Sequence, residues 1–440
     1  MRPLHTRVES LREYLGGALW VLPGVAVVLA LVAGSVLSQI DIPPDSPLDP
    51  LAFAGTADDA RNVLTAIAAT MVTVIALVLG LTIVALQVAS TQFSPRLLRN
   101  FLRDRPNQLV LASFCATFAY STAGLYTVGI SGGMDVEEFP RLAVTGAIAL
   151  VFVSLVMLVY FVHHVAHSIQ IDSVMTSVAA ITARGAQTRT PPGPGTDLAA
   201  PPPPPHAVPL TAPRSGYLQT VHPDRLLAVA VELDLVITVA ARVGDHLVAG
   251  AEPLGYAWRP DGAPPGDTDR VTHALWHAVQ IGPERTLQQD ILFGIRQLED
   301  MALRALSPAI NDPYTAVQAL DRLAALLALL APRTLGDTLH TDPAGVTRVI
   351  ARGPAFADYL DLACGQVRRY GTAEPAVCLA LLRLLTALTT VTDDPTRRQA
   401  ITTQAALVLA DAEHRIAQPA DLVLVRELAA ELTGSQHGGS

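Results

Sequence analysis

The chain predicts an α-helical membrane protein with four transmembrane helices, followed by a small cytoplasmic all-β domain and a cytoplasmic α-helical domain. Three features predict this. Four long apolar stretches fill the first third of the sequence, short runs with turn signals follow a proline-rich stretch, and apolar residues recur at helical spacing from about Thr268 to His414.

A helix rising about 1.5 Å per residue needs about 20 apolar residues to cross the hydrocarbon core of a bilayer. The stretches from about Ala18 to Ile40, Val63 to Val88, Leu109 to Ile130 and Leu142 to Val162 meet that length, and none holds Asp, Glu, Arg or His. Arg2, Arg7 and Arg12 precede the first span, and Arg96, Arg99, Arg103 and Arg105 follow the second. The other two connections are acidic, with Asp41, Asp45, Asp49, Asp58 and Asp59 in one and Asp135, Glu137 and Glu138 in the other. The positive-inside bias then puts both termini of a multi-pass membrane protein in the cytoplasm. A removable signal peptide is the competing reading of the first span. That span is long for an apolar region of ~7–15 residues, and three more follow it.

A net charge of -9 argues against a nucleic-acid partner. All 30 basic side chains are arginine. Without lysine the chain cannot carry biotin or lipoate on a lysine, form a Schiff base or complete a Walker-type phosphate loop, and no cofactor is expected. Cys115, Cys364 and Cys378 make no metal-ligand spacing and fit a reduced compartment.

The spans with their polar helical extension occupy residues 1–184, and residues 185–213 hold Pro191, Pro192, Pro194 and the run Pro201 to Pro205. Such a segment favours polyproline II and reads as a linker or disordered insertion. Residues 214–262 read as the small β domain, 268–433 as the helical domain and 434–440 as a disordered tail. Helices are expected near Thr272 to Gln280, Leu287 to Leu306, Pro313 to Leu330, Ala355 to Tyr370, Pro375 to Val391, Pro395 to Arg415 and Ala420 to Leu432.

The second span is the least lipid-like. Thr65, Ala69, Thr73, Ala76, Gly80, Val84 and Gln87 recur at steps of three and four and share one helix face. In the third span Ser113, Thr117, Ser121 and Gly124 do the same. Small residues allow close helix packing and hydroxyls bond across it, so these faces either pack helices or line a polar path. No charge lies within a span, which removes the usual mark of a proton-coupled transporter. Next come Ser94 and Pro95, a helix start, and then Arg96, Arg99 and Arg103 alternating with apolar residues. They suit anionic lipid headgroups or the inner mouth of a pore.

His163 and His167, four apart where the fourth span ends, are a weak metal candidate. The same spacing recurs in His273 and His277, but a zinc-protease pattern needs Glu where Ala274 stands. Arg285, Asp290, Arg304, Asn311 and Asp312 form the most unusual polar block, read as a helix-turn-helix locked by its charges or as a ligand site. Within it Pro308 ends one helix, and Asp312 with Pro313 starts the next. Nothing pairs a nucleophile with a base, so an enzyme is not expected.

The phrase Val243 to Leu254 resembles the half-motif of biotinyl and lipoyl hammerhead domains, without the modifiable lysine, and implies a lipoyl-like half-barrel for the β domain. The motifs Phe93-Ser94-Pro95-Arg96-Leu97-Leu98 and Ala305-Leu306-Ser307-Pro308-Ala309-Ile310-Asn311-Asp312-Pro313 resemble those of a bacterial family of membrane proteins catalogued only as a domain of unknown function. The resemblance runs from about Leu11 to about Glu413 and implies an architecture but no activity. The functional expectation is a homo-oligomeric passive ion channel or pore, in contact with the lipid bilayer and gated by its cytoplasmic domains. The alternative is a membrane-anchored sensor or scaffold that binds a partner, ion or small molecule.

Overall fold

The computed structural model describes residues 20–40, 52–92, 105–130, 140–168, 170–263 and 265–434. It divides into two compact units, Met1–Ser173 and Val174–Ser440.

Within the described residues the first unit contains α1 (Val21–Leu37), α2 (Ala57–Gln92), α3 (Arg105–Ile130) and α4 (Arg141–Ser168). Three of them, α2, α3 and α4, are long and apolar enough to cross a membrane. The described part of α1, at 17 residues, is apolar but shorter. Helix α3 is central and packs against α1, α2 and α4. It meets α2 through Leu64, Met71 and Val78, which with Ala85 are buried side chains at a seven-residue repeat, the spacing that keeps one seam facing inward. Phe114 of α3 and Phe161 of α4 are fully buried beside Met71 and Val78. The Tyr120 ring of α3 reaches Gly146 of α4, where any Cβ would collide with the phenol oxygen.

The second unit opens with α5 (Ile171–Arg189), which starts at the end of the first. A sheet lobe follows, with β1 (Asp197–Leu198), β2 (Val208–Thr211), β3 (Gly216–Val221), α6 (Pro223–Glu232), β4 (Val236–Val239), β5 (His246–Leu247), β6 (Pro253–Trp258), α7 (Thr268–Ala278) and β7 (Val279–Gly282). A helical lobe continues with α8 (Ile291–Ala305), α9 (Pro313–Leu330), β8 (Leu335–Gly336), β9 (Thr338–Thr341), β10 (Thr347–Ala351), α10 (Phe356–Gly371), α11 (Pro375–Thr389), α12 (Pro395–Arg415) and α13 (Pro419–Gly434).

The expected small all-β domain is corrected in two ways. Helix α6 interrupts its strands, and β7, β9 and β10 come from within the region expected to be helical, β9 and β10 completing a five-stranded sheet in the order β2-β6-β4-β10-β9. Strand β10 joins β4 in parallel, through Val349 opposite Ile237, and the remaining pairs of that sheet are antiparallel. A parallel pair needs a long crossover, so no local turn signal announces it. The phrase from Val243 to Leu254 supplies β5 to a separate sheet, β5-β3-β7, and the start of β6 to the five-stranded one. Leu218, Leu226, Ile237, Leu254, Leu275 and Val349 are fully buried and close one core under both sheets and helices α6 and α7.

The expected linker at 185–213 is also corrected. Helix α5 runs on to Arg189, and β1 pairs in parallel with β8, Asp197 opposite Leu335. Two arginine–aspartate clamps fasten this segment. Arg397, almost fully buried, donates to the carbonyls of Ala331 at 2.6 Å and Arg333 at 3.0 Å and to the Asp197 carboxylate, while its guanidinium lies 5.2 Å from the Phe356 ring centre. Arg352 donates to Asp337 at 2.5 Å and to the Ala200 carbonyl at 3.0 Å, and Asp337 accepts the Ala200 amide at 2.8 Å. The prolines leave the segment few amide donors of its own, so side chains hold it in place.

The Arg397 clamp gives a test of the fold. Asp197→Ala leaves a buried guanidinium without its carboxylate, and breaking a buried pair costs about 3–5 kcal/mol. Denaturant unfolding is expected to show that loss, with faster proteolysis between Thr190 and Ala207. An unchanged midpoint and cleavage pattern would contradict the clamp.

Candidate functional site

The polar faces of the second and third spans part company in the folded chain. Helix α2 buries Leu64, Met71, Val78 and Ala85 against its neighbours, so its opposite face, with Thr65, Ala69, Thr73, Ala76, Gly80, Val84 and Gln87, is exposed throughout. Thr73 turns its hydroxyl back to the Ala69 carbonyl at 3.3 Å, and a Cβ added at Gly80 would meet nothing within 4 Å. The α3 hydroxyls instead point inward. Thr117 shares a hydrogen bond of 2.8 Å with Ser154 of α4 and donates to the Ser113 carbonyl at 2.8 Å, while Ser113 donates to Val110 at 2.8 Å. Ser121 is fully buried. The α3 row therefore packs helices, and the α2 stripe is left exposed.

Outward faces elsewhere in this unit look different. Helix α1 exposes Val25, Val28, Leu29 and Val32, and α4 exposes Phe152, Leu155, Val156 and Val159. These are bulky side chains suited to lipid tails. Helix α2 also exposes Val72, Leu77 and Ile83, but among the described helices of this unit only it interposes a stripe of small and polar residues.

The inner-mouth residues Arg96, Arg99 and Arg103 and the Phe93 to Leu98 motif lie outside the described residues, as do Arg2, Arg7 and Arg12, the residues of the acidic connections other than Asp58 and Asp59, and the tail after Gly434.

In the second unit the polar block separates into two places. Arg285 grips Asp290 with two bonds, 2.7 and 2.9 Å, and Asp290 caps α8 by accepting the Phe293 amide at 2.9 Å. Burial pushes the Asp290 carboxyl above its ordinary value, and the Arg285 partner opposes that shift. Arg304, Asn311 and Asp312 lie at the far end of α8, about 22 Å away along a helix of 15 residues. There Asn311 adopts a left-handed φ of 51°, its amide bonded to the Ser307 carbonyl at 2.9 Å, and Asp312 caps α9 through the Thr315 amide at 3.1 Å. The expected single charge lock is thus two separate caps, because α8 holds its two ends apart.

Sequence reasoning missed what surrounds Asp290. The turn before β5 brings Gly244, at φ 99°, against the Arg285–Asp290 pair, where a Cβ would lie 2.5 Å from a carboxylate oxygen. The neighbouring Arg242 donates to Asp358 at 2.9 Å, and Asp358 accepts the Ala355 amide at the start of α10. Sheet lobe, α8 and α10 converge here, with each carboxylate matched to a donor. The place is a joint between lobes rather than an open ligand site. Gly244 was visible only as a turn glycine, and its partners lie more than forty residues away.

Glu299 of α8 was also missed. Its side chain is 1% exposed and meets Arg296, one turn earlier, at 2.8 Å. Burial pushes its carboxyl up to about 7, Arg296 opposes the shift, and Asp300 and Asp361 add to it. Cys364 and Cys378 are buried and their thiols pushed up to about 12, which leaves them unreactive. No group of three or more His, Cys, Asp or Glu able to hold a metal occurs among the described residues. His163 and His167 stand as an exposed pair at the end of α4.

The sequence model of a family described as predicted membrane protein (DUF2254) matches residues 17–387. Uncharacterized proteins of Mycobacterium bovis and of two strains of Mycobacterium tuberculosis are each 48% identical over 443 residues, covering 97% of this chain and 82% of theirs. No solved structure matches.

Two outcomes are expected here. Gly244→Ala forces a positive φ on a residue with a Cβ and drives it into the Asp290 carboxylate. It should lower stability by more than about 1–3 kcal/mol, the cost of the backbone strain alone, and an unaltered melt would contradict the joint. For Glu299, the folded-state value lies above the ordinary 4.5, so its contribution is fully present below about pH 4.5 and is lost as pH rises through about 7. Stability of the purified chain should therefore fall across that window, and Glu299→Gln should remove this part of the slope. Equal slopes in both proteins would refute the assignment.

Proposed function

We propose that this chain, which belongs to the predicted membrane protein family DUF2254, is a homo-oligomeric inner-membrane protein forming a passive pore, gated by its second unit on the cytoplasmic side. One observation carries the reading. The α2 stripe faces away from its own bundle, while α1 and α4 present bulky side chains outward.

In lipid, helix association is driven by close packing and interhelical hydrogen bonds, and small residues are what permit it. Further copies bring equivalent stripes, and a closed ring of copies turns all of these stripes toward one central axis. The small side chains then leave room at the axis, and Thr65, Thr73 and Gln87 supply polar groups along it. The spans of this reading are four, with the stretch from Ala18 to Ile40 as the first. A path without intramembrane charge conducts down a gradient and does not couple to protons.

A sensor or scaffold is the second reading, and it too has an observation behind it. The α8–α9 turn exposes Ile310 and Tyr314, the latter 71% exposed, in a surface position suited to a partner.

Cysteine cross-linking in native membranes and flux into proteoliposomes test the pore reading together. Cysteines replacing Ala69, Thr73 and Ala76 are expected to cross-link copies, whereas one replacing Val156 is not. Gly80→Leu is expected to lower flux severalfold with the fold intact. Flux that is absent in the wild-type protein under voltage, tension or added ligand sinks the pore. Failure of all α2 cysteines to cross-link sinks the ring.

A further inference from the structure

We propose that His163 and His167 form a two-nitrogen chelate for a divalent transition-metal ion at the C-terminal end of α4. The site goes beyond the pore reading and does not depend on it.

Residues four apart on a helix lie one above the other on one face, which is how paired histidines reach a common metal ion. Here the rings already stand together, with centroids 4.2 Å apart and planes inclined by 42°. The second ring is also oriented from behind. His167 Nδ1 lies 3.0 Å from the His163 carbonyl oxygen, so it carries the proton and donates, and Nε2 keeps its lone pair for a metal. Both residues are exposed, so neither nitrogen needs to be uncovered before binding. They occupy the last turns of a helix of 28 residues, where the macrodipole leaves negative partial charge and favours a cation.

The neighbouring histidines show that spacing alone does not produce this arrangement. His164, between the two in sequence, stacks instead on Tyr160, at 5.8 Å with planes inclined by 17°. His273 and His277 of α7 have the same spacing and exposure, yet His273 turns edge-on to Trp276 at 5.0 Å. Because no described group of three or more His, Cys, Asp or Glu joins the pair, water fills the remaining coordination positions. That makes an exchangeable site, unlike a structural zinc closed by four protein ligands. Imidazole nitrogens suit Zn(II), Ni(II) and Cu(II) over Mg(II) or Ca(II). The bound ion staples the last turn of α4 just before the chain passes from the first unit into the second.

Titration of the full-length protein in detergent with Zn(II) by calorimetry, and with Cu(II) by electron paramagnetic resonance, tests the proposal. Wild type is expected to bind one ion per chain at the tightest site, with a Cu(II) spectrum from two equatorial nitrogens. His163→Gln and His167→Gln should each weaken that site by about tenfold or more, the scale on which even supporting groups of a metal site act. The pair His273→Gln and His277→Gln should leave it unchanged. Melting curves matching wild type without metal keep a folding defect apart from a lost ligand, and His167→Ala provides a second variant. Undiminished affinity in the double variant His163→Gln, His167→Gln, or loss on changing His273 and His277, would overturn the assignment.

Discussion

A helix buried along one narrow seam leaves the rest of its surface to whatever surrounds it, and α2 commits its apolar seam to α3. That constraint orders the first unit. Leu64, Met71, Val78 and Ala85 face inward at heptad spacing, so Thr65, Ala69, Thr73, Ala76 and Gly80 face outward whatever their chemistry. Helix α3 resolves its own polar groups in the opposite way, closing Thr117 on Ser154 inside the bundle. Two faces that look alike in sequence therefore have different surroundings. One closes the helix bundle from inside, and the other is left exposed.

The second unit is held by charge pairs placed where strands and helices cannot reach. Arg397 with Asp197 and Arg352 with Asp337 fix a proline-rich segment, and Arg285 with Asp290 joins the sheet lobe to α8. Each arginine or carboxylate also bonds the backbone, so each pair closes a chain segment as well as neutralising a charge. Glu299 departs from that pattern. Its partner Arg296 lies on the same helix, so the pair joins no two elements, and burial shifts its carboxyl toward neutrality.

Much of the helical architecture was legible because its signals are local. Asp312 followed by Pro313 marks the start of α9, and the helix begins there, capped by the side chain as the pattern requires. The apolar stretches of α2 and α4 announce themselves by length and lack of charge. What escaped is nonlocal. The pairing of β10 with β4 joins residues more than a hundred apart, so Thr347 to Ala351 carried no mark of the sheet it completes. Polyproline composition pointed to a free linker, and the clamp on Asp197 depends on an arginine two hundred residues later. At the candidate site, periodicity identified the α2 stripe but not its direction. Direction depends on which face α3 covers, and only the folded unit reveals that.

The central claim is that the α2 stripe meets a second copy of itself in the bilayer. Spin labels on a cysteine at Ala76, with the protein in lipid nanodiscs, measure it directly through the distance between copies. Helices in contact have axes about 8–10 Å apart, and the account predicts strong short-range coupling from Ala76 and only long or absent distances from Val156. Coupling from Val156 with none from Ala76 would contradict it, leaving the stripe facing lipid.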